Sequence, residues 1–314
     1  MKIVLAGGTG FIGTLLVRRL IEEQHDLVLL TRFPQSAPVA PAASLKLVQW
    51  DGRTQDAWIS HLDGADAVIN LCGESLAGGR WTRKRKNLLV QSRVEPTKAL
   101  VTAMAQARRQ PSVLINASGV GYYGNVDAGD VDESHDRGND FLADLCVRWE
   151  SEAVEAVKLG VRVVLLRNGV VLGRDGGALK KLALPFRYFI GGHLGSGQQW
   201  FPWIHRADVV SIITLGLGHS TLSGPLNVVA PEAVSLRDFC NILGRIMNRP
   251  SWAPVPAFVL HTALGEMAEM LLTGQRAIPR KLQDAGFEYR YPRLEQALRG
   301  IMETRTCIPA TRKS

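Results

Sequence analysis

The sequence lacks the features of a disulfide-rich, metal-binding or membrane-spanning protein. Its four cysteines are scattered, with no Cys-x-x-Cys pair and no histidine at metal-ligand spacing, so neither a disulfide framework nor a zinc site is indicated. No signal-peptide pattern precedes the first apolar segment, and the longest uncharged apolar run, VVSIITLGLG at 209–218, is far too short to cross a bilayer. We therefore expect reduced, buried thiols, no metal, no membrane partner and a cytoplasmic location.

Acidic residues are the scarcer charged class, with 29 against 37 lysines and arginines, and the formal net charge is +8. The densest basic run, RWTRKRK at 80–86, opens a helical segment and has no nucleic-acid-binding motif around it. A solvated helix face explains this run, so we do not expect nucleic acid as a partner. The same positive field would attract an anionic cofactor or substrate.

The hydrophobic residues, 46% of the chain, occur in short runs rather than long ones. Six nearly all-apolar runs alternate with helix-length segments: KIVLAG (2–7), DLVLLTR (26–32), LKLVQW (45–50), DAVINLCG (66–73), SVLINASG (112–119) and VRVVLLRNG (161–169). Strands buried on both faces of a parallel sheet have this composition, and the spacers are long enough for helical crossovers. The pattern predicts an α/β fold with a doubly wound parallel sheet.

The pattern changes after residue 170. Gly-rich turns, LGRDGGALKK and GGHLGSGQQWFPWIH, precede helices predicted near 206–219 and 235–248, and we interpret this part as a smaller lobe. A proline-punctuated stretch then leads into a mostly helical region that ends near residue 302. The predicted organisation is a domain at 1–250 with lobe insertions from about residue 174, a C-terminal domain at 251–302 and a polar tail at 303–314.

An aromatic cluster, QQWFPWIH at 198–205, follows four closely spaced glycines at positions 191, 192, 195 and 197. Flat, rigid side chains suit the wall of a ligand cleft, and they also suit the joint beneath a loop. We favour the cleft, because glycines allow a backbone to approach a ligand or to move as a lid.

The first predicted strand leads directly into the turn AGGTGFIG, which contains Gly7, Gly10 and Gly13 and opens a predicted helix. Glycines at this spacing permit a tight turn, close approach of the backbone to a pyrophosphate and close helix–strand packing. The helix N-terminus offers unpaired N–H groups to the phosphates. A strand, this turn and a helix in succession predict a dinucleotide-binding site.

The second predicted strand ends in Thr31 and Arg32. An enzyme that prefers NAD places an acidic residue at this point, roughly 20 residues past the glycines, to bind the ribose 2′-hydroxyl. No acidic residue is present there, whereas a guanidinium can bind a 2′-phosphate bidentately and a threonine can add a hydroxyl donor. The cofactor predicted from these residues is NADP rather than NAD.

Together with the glycine turn, three strand ends resemble the extended short-chain dehydrogenase/reductase superfamily: NLCGE (70–74), NASGVGYYG (116–124) and LRNGVVLG (166–173). Five further motifs resemble the epimerase-family branch of the atypical members: RWT (80–82), QSR (91–93), LPFR (184–187), GSGQQWFPWIH (195–205) and GQRAIPRKLQDAGFEYRYPRLEQAL (274–298). The resemblance covers roughly residues 1–300. It implies a Rossmann-like fold with a small, mainly helical C-terminal lobe of unassigned function.

The resemblance also implies a set of cofactor-binding residues. The pyrophosphate turn would be formed by Gly7, Thr9, Gly10, Phe11, Ile12 and Gly13, the 2′-phosphate site by Thr31 and Arg32, the strand end beside the adenine ribose by Leu71, Cys72 and Gly73, and the nicotinamide end by Asn168, Gly169 and Val170. Glu74 and Arg93 are further candidate contacts. For these two residues a helix-facing ion pair is an equally good interpretation.

One motif of the superfamily is missing. Its members carry Tyr-x-x-x-Lys on the helix after the fifth strand, where the tyrosine transfers the proton while hydride moves to or from the nicotinamide. Here that helix reads DFLADLCVRWE (140–150), and the paired positions hold Phe141 and Leu145 or Leu142 and Cys146. No Tyr-x-x-x-Lys occurs anywhere in the sequence.

Two interpretations of the missing pair remain open. In one, the fold keeps NADP but not catalysis. In the other, an enzyme has relocated its proton carrier to Tyr122 or Tyr123, with His205 and Glu74 as weaker candidates, and Ser118 hydrogen-bonds the substrate oxygen as the strand serine of the superfamily does. One of the two tyrosines is then expected in the core, and His205 has the alternative role of a helix cap.

The predicted function is an NADP-binding oxidoreductase or nucleotide-sugar-epimerase-like enzyme that acts on a small molecule. The alternative is a catalytically silent NADP-binding regulator or interaction module, because some relatives are described as connected with cell or organelle division. Neither the substrate nor the oligomeric state follows from these motifs.

Overall fold

The computed structural model describes residues 1–303. The strands are β1 (Lys2–Ala6), β2 (Asp26–Thr31), β3 (Leu45–Gln49), β4 (Ala67–Asn70), β5 (Val113–Gly119), β6 (Asp130–Val131), β7 (Arg162–Asn168), β8 (Val170–Leu172), β9 (Trp203–His205), β10 (Gly224–Val228) and β11 (Arg276–Ala277). The helices are α1 (Gly13–Glu22), α2 (Arg83–Gln106), α3 (Phe141–Val154), α4 (Leu179–Leu182), α5 (Leu184–Arg187), α6 (Arg206–Gly218), α7 (Leu236–Met247), α8 (Ala257–Leu264), α9 (Glu269–Leu272), α10 (Arg280–Asp284) and α11 (Leu294–Glu303).

The central sheet has seven parallel strands in the order β10-β7-β5-β4-β1-β2-β3. The predicted doubly wound α/β fold is therefore confirmed, and each of the six predicted strands is present. The sequence did not reveal β10, GPLNV, which pairs with β7 at the edge of the sheet. It begins with Gly-Pro and has no apolar alternation, so its pairing depends on the neighbouring strand rather than on its own pattern.

Helices cover both faces of the sheet because side chains alternate along each strand. On β1, Ile3 and Leu5 face one cluster that contains α1 and α6, whereas Val4 and Ala6 face a second cluster with residues of α2. Helix α1 buries Leu16 and Leu20, which lie one turn apart on the same face. Each such leucine contributes about 1.5–3 kcal/mol when fully buried.

A second lobe forms beyond the sheet. The short strands β8 and β9 pair with each other, β11 pairs with β6, and α7 packs against α11. Isolated bridges join Gly191 to Ser251 and Leu194 to Val255, so the segments on either side of the predicted boundary at residue 250 are in direct contact. The domain boundaries themselves stay predictions.

The aromatic cluster lies mainly within this lobe, so the prediction that it lines a cleft is wrong for two of its members. Trp203 is buried and its indole Nε1 donates to the Glu232 carbonyl oxygen, while the Phe201 ring packs 4.4 Å from Phe239. The preceding glycines have a packing role as well: a Cβ atom on Gly192 would overlap the Ala253 carbonyl. Apolar rings are more stable buried in this joint than exposed in a loop.

Three of the cysteines lie in the described part of the chain. Cys146 and Cys240 are buried, Cys72 is half-buried, and all three are free thiols. Cys307 and the predicted polar tail beyond Glu303 lie outside the described residues. Within residues 1–303, no helix is both long and apolar enough to span a membrane.

Candidate functional site

The glycine turn between β1 and α1 shows which glycines the chain itself requires. A Cβ atom on Gly7 would lie 2.6 Å from the Leu71 carbonyl carbon, and one on Gly13 would overlap the Gly7 carbonyl oxygen. A Cβ atom on Gly10 would meet only the Gly7 carbonyl oxygen, at 3.3 Å. Packing therefore accounts for Gly7 and Gly13, whereas the open side of Gly10 leaves room for a ligand to approach the backbone.

The N-terminus of α1, which follows this turn, has no side-chain cap and no acidic residue in its first turn. The N–H groups of a first helical turn have no partner within the helix, and they attract an anion. An uncapped N-terminus beside an open glycine is the arrangement that a pyrophosphate needs. The residues of this turn thus fit the dinucleotide that the sequence predicts.

Gly10→Ala and Gly13→Ala should have different effects. We expect Gly13→Ala to lower the unfolding temperature, because its new methyl group would overlap the backbone of the turn. We expect Gly10→Ala to keep the fold and to weaken dinucleotide binding at least tenfold. Thermal unfolding and nucleotide titration of both variants would test this; equal binding by Gly10→Ala and the wild type would show that no ligand approaches this glycine.

The carboxyl end of β2 carries the predicted 2′-phosphate residues. Thr31 is buried and its Oγ1 accepts a hydrogen bond from the Phe33 N–H at 3.4 Å, while the Arg32 side chain is exposed. Phe33, which the sequence analysis did not single out, exposes 66% of its surface and lies 6.0 Å from the Arg32 guanidinium. An exposed aromatic beside an arginine at a strand end offers a flat face to a purine ring.

At the end of β4, Arg93 lies directly beneath Gly73. Its guanidinium donates to the Glu74 carbonyl oxygen at 2.9 Å and to the Leu89 carbonyl oxygen at 3.0 Å, and it stacks over Trp149. Burial lowers the pKa of Arg93. The buried guanidinium holds the backbone of the strand end in place, and a direct cofactor contact by Arg93 stays a prediction.

The side chains of Glu74 and Cys72 point to different roles at the same strand end. Glu74 does form an ion pair, which was one of its two interpretations. Its partner is Arg85, at 3.1 Å, rather than Arg93. The backbone N–H of Cys72 donates to Asn70 Oδ1, and burial raises the pKa of the Cys72 thiol to about 12. Cys72 is therefore a neutral thiol at neutral pH, and a ligand role for Leu71 to Glu74 remains a prediction.

Asn168, at the end of β7, presents an unused acceptor. Its Nδ2 donates to the carbonyl oxygens of Ser118 and Leu166, which fixes the orientation of the amide. Its Oδ1 is buried and finds no hydrogen-bond partner within residues 1–303. A buried carbonyl oxygen left in this state favours a ligand that donates an N–H or O–H group.

The neighbours of Asn168 are set by packing. A Cβ atom on Gly169 would lie 2.6 Å from the Pro202 carbonyl oxygen, and the Val170 N–H donates to that same oxygen at 2.7 Å. The strand end is therefore held by the loop before β9. Contacts of these two residues with the cofactor stay predictions.

Ser118 belongs to a buried polar network at the end of β5. Its hydroxyl donates to Glu150 Oε1 at 2.6 Å, and Glu150 forms a two-pronged ion pair with Arg167, both contacts at 2.9 Å. The side chains of Glu150 and Arg167 expose only 8% and 5% of their surface. Burial by itself lowers the pKa of Arg167, but the hydrogen bonds and charge of Glu150 raise it overall, so the guanidinium is charged.

The two candidate tyrosines have different environments. Tyr123 is buried, its hydroxyl donates to Asn227 Oδ1 at 2.7 Å and accepts from Arg167 at 2.9 Å, and burial raises its pKa to about 12. Tyr122 is half-buried, and the Arg167 guanidinium lies 3.4 Å from the centre of its ring. The structure thus places Tyr123 in the core, as expected for one of the pair, and leaves Tyr122 nearer the surface.

The start of α3, where the superfamily carries its catalytic pair, is covered by apolar side chains. The Phe141 ring packs against Trp81 at 5.1 Å, and Leu145 and Cys146 are buried in a cluster that includes Met267 from the C-terminal region. Burial raises the pKa of the Cys146 thiol to about 12, and its Sγ lies 3.6 Å from the Gly119 carbonyl oxygen. An ionised lysine at this position would lose its hydration, so the apolar residues fit the covered surface.

His205 caps a helix. Its Nδ1 accepts a hydrogen bond from the Ala207 N–H at the start of α6, and its ring lies 3.9 Å from Tyr291. Burial, together with the charges of Arg206 and Arg290, lowers its pKa to about 4. The ring is neutral at neutral pH, and its position agrees with the cap that the sequence offered as the alternative to a proton carrier.

The sequence pattern of the NAD dependent epimerase/dehydratase family matches residues 3–228, and a domain of unknown function (DUF1731) matches residues 255–301. The "Epimerase family protein SDR39U1 homolog, chloroplastic" of Arabidopsis thaliana is 40% identical over 96% of this chain and 87% of its own length. The "Epimerase family protein YfhF" of Bacillus subtilis is 36% identical over 98% and 100%.

Among solved structures, human epimerase family protein SDR39U1 (isoform2) with NADPH superimposes with a TM-score of 0.85 at 34% identity, covering 96% of this chain and 99% of that one. MoeE5 in complex with UDP-glucose and NAD, at 22% identity and a TM-score of 0.78, shares the fold over 96% and 98% of the two chains. The resemblance stated from the motifs is confirmed. The chain belongs to the NAD-dependent epimerase/dehydratase family and carries the domain of unknown function at its residues 255–301.

Proposed function

We propose that this protein binds NADPH in preference to NADH and uses it in an oxidoreductase or epimerase-like reaction on a small molecule. The observation that carries the proposal is the combination of the uncapped α1 N-terminus with Arg32 at the end of the next strand, where no carboxylate is present. The human relative solved with NADPH supports the same choice of cofactor. A guanidinium gains a charge-assisted contact with a 2′-phosphate that a 2′-hydroxyl cannot provide.

Side chains of this protein would orient the nicotinamide and transfer the proton. A bound nicotinamide would supply or accept a hydride. The buried Oδ1 of Asn168 would accept a hydrogen bond from the carboxamide and thereby orient the ring. Tyr122 would transfer the proton, because the hydroxyls of Ser118 and Tyr123 are already bound within the buried network. The Arg167 guanidinium lies 3.4 Å from the centre of the Tyr122 ring and holds that ring in position.

The matched substitutions Tyr122→Phe and Tyr123→Phe test the proton carrier. On a carbonyl substrate that makes the wild type consume NADPH, we expect Tyr122→Phe to lower turnover about 100-fold or more while stability and NADPH affinity stay the same. Tyr123→Phe should instead lower the free energy of unfolding by about 1–3 kcal/mol, because Arg167 and Asn227 each lose a buried partner. Wild-type turnover by Tyr122→Phe would exclude it as the proton carrier.

A second candidate function is a catalytically silent, NADPH-binding regulator. The apolar cover over the start of α3 favours it, because the C-terminal region occupies the surface where the superfamily's catalytic pair would meet a substrate. This candidate predicts that no panel of carbonyl compounds or nucleotide sugars consumes NADPH, and that NADPH alters binding to a protein partner. NADPH consumption abolished by Tyr122→Phe would exclude it.

The setting of the protein is part of the same proposal. We propose a cytoplasmic protein whose ligands are NADPH and a small-molecule substrate, with no role for nucleic acid or a metal. The formal net charge of +8 supports this choice of ligand, because a positive field attracts an anionic dinucleotide.

A further inference from the structure

We propose that this protein docks onto anionic membrane surfaces through an exposed aromatic patch on the second lobe. We define the aromatic patch as Leu184, Tyr188, Phe189, Ile190 and Trp252. The expectation of no membrane partner came from the absence of a spanning segment, and association with a bilayer surface does not require one.

The aromatic patch is exposed to an unusual degree for such large apolar side chains. Tyr188 and Trp252 expose 70% and 66% of their surface, and the other three members each expose about half. Large apolar side chains that are exposed singly are common, but five neighbours together mark an interaction surface. Nothing in the cofactor site accounts for them, because residues 184–190 belong to the segment between β8 and β9 and Trp252 follows α7, both in the second lobe.

The aromatic patch is held in place rather than loosely extended. The Trp252 indole donates to the Phe189 carbonyl oxygen at 2.9 Å, and the Ile190 N–H donates to the Pro185 carbonyl oxygen at 3.1 Å. Phe189 has a φ of +63°, which is strained for a residue with a side chain. Hydrogen bonds to both backbone groups of Phe189 hold this strained conformation, in which the ring is 55% exposed.

Basic residues predominate around the aromatic patch, although the exposed Asp175 lines the same surface pocket as Lys180 and Arg187. The two segments that form it, 176–207 and 239–265, contain no aspartate or glutamate. They contain Lys180 and Arg187, both exposed, and Arg249, whose guanidinium lies 4.3 Å from the centre of the Phe189 ring. The predominance of basic residues favours an anionic partner over a second copy of the same surface.

The mixture of side chains favours a lipid surface over other anionic partners. Tryptophan and tyrosine place an apolar ring in the bilayer interface and keep a polar atom in water, while aliphatic side chains such as Leu184 and Ile190 enter the acyl region. Nucleic acid would use the rings for stacking but would gain little from aliphatic residues. Lysine and arginine near such a surface add electrostatic attraction to anionic lipids.

Helix α8, which begins five residues after Trp252, is a second exposed apolar segment. It carries no charged residue other than a titratable histidine, and Phe258 exposes 71% of its surface. Its sequence, AFVLHTAL, is apolar on nearly every face although most of its residues are exposed. Helices with this composition are normally buried, whereas here Leu260 is buried, Leu264 packs against the cluster at α3, and the other residues of the helix face solvent.

The full-length protein tests the proposal in sedimentation with vesicles of phosphatidylcholine alone and of an equimolar mixture of phosphatidylcholine and phosphatidylglycerol. We expect binding to the mixed vesicles, weakened by salt, and little binding to phosphatidylcholine alone. The Phe189→Ser/Trp252→Ser variant should bind at least tenfold more weakly, and Lys180→Gln/Arg187→Gln should bind more weakly with less dependence on salt.

Two controls separate a surface role from a structural one. Val154→Ser/Val157→Ser removes exposed apolar side chains at the end of α3 and in the turn that follows it, and should bind vesicles like the wild type. Phe189→Gly should unfold at the wild-type temperature or above, because glycine adopts a positive φ without strain, and yet bind vesicles more weakly. Loss of stability in this variant would indicate a structural role for the ring.

Three results would overturn the proposal. The first is equal sedimentation of the wild type and Phe189→Ser/Trp252→Ser with mixed vesicles, including the case in which neither binds. The second is a dimer in solution that this variant dissociates, which would identify a second copy as the occupant. The third is single-stranded oligonucleotide binding that depends on the same residues while vesicle binding does not.

Discussion

Replacing Arg32 by alanine is expected to weaken NADPH binding tenfold or more, about 1.4 kcal/mol, and to leave NADH binding unchanged. Arg32 follows directly after β2, its side chain is exposed, and no acidic residue stands at this strand end. The guanidinium can bind a 2′-phosphate through two parallel hydrogen bonds, and such charge-assisted contacts are stronger than those between neutral groups. Titration by the fluorescence of NADPH and NADH, at a single ionic strength, measures both affinities.

Two further variants sharpen this experiment. Arg108→Ala removes the same charge from a surface pair with Asp63, at the amino ends of the central strands rather than their carboxyl ends, and should bind both nucleotides like the wild type. Arg32→Asp should reverse the preference, because a carboxylate accepts hydrogen bonds from a ribose hydroxyl and repels a phosphate. Equal loss of NADPH and NADH affinity in Arg32→Ala would contradict the prediction, since it would show a contact common to both nucleotides.

Replacing Arg167 by methionine is expected to lower the free energy of unfolding by about 3–5 kcal/mol, because Glu150 would remain buried and charged without its partner. Of the side chains that now donate hydrogen bonds to Glu150, only Ser118 would remain. Tyr123 would also lose its hydrogen bond from the guanidinium. Urea denaturation at neutral pH measures the loss. A loss of this size is among the largest that one substitution causes in the free energy of unfolding of a domain of ordinary stability.

The double variant Glu150→Leu/Arg167→Met should recover much of that stability. Buried ion pairs are often replaced by apolar residues of similar volume at little cost, because the desolvation of both charges is removed together. The exposed pair Glu155 and Lys158 is the matched control, and Lys158→Met should change stability by less than about 1 kcal/mol. A double variant no more stable than Arg167→Met would show that the lost contacts of Ser118 and Tyr123, rather than the unpaired charge, determine the cost.

The features that sequence analysis predicted correctly are local ones. The glycine turn was identified because three glycines, a strand and a helix lie within a few residues, and steric limits on the turn act over that distance. The six strands were identified because each carries its own apolar run. Strand β10 and the cleft assigned to Trp203 and Phe201 were not predicted correctly, because their state depends on distant partners.

The candidate site divides in the same way. Thr31 and Arg32 could be proposed from their place after β2, but the exposed ring of Phe33 and the unused Oδ1 of Asn168 could not, since exposure and pairing are properties of the folded chain. Tyr122 and Tyr123 are adjacent and chemically identical in the sequence. Only packing separates them, because Asn227, which binds the Tyr123 hydroxyl, lies 104 residues away.

By itself, the sequence determined the α/β class, the dinucleotide turn, the family and the absence of the superfamily's catalytic pair, since each rests on residue types at short spacing. Tertiary structure alone decided that Glu150 and Arg167 form a buried ion pair and that the start of α3 is covered by the C-terminal region. It also decided that the aromatic patch faces solvent. The physical reason is that burial and charge pairing depend on which distant side chains exclude water from a group, and spacing along the chain does not specify them.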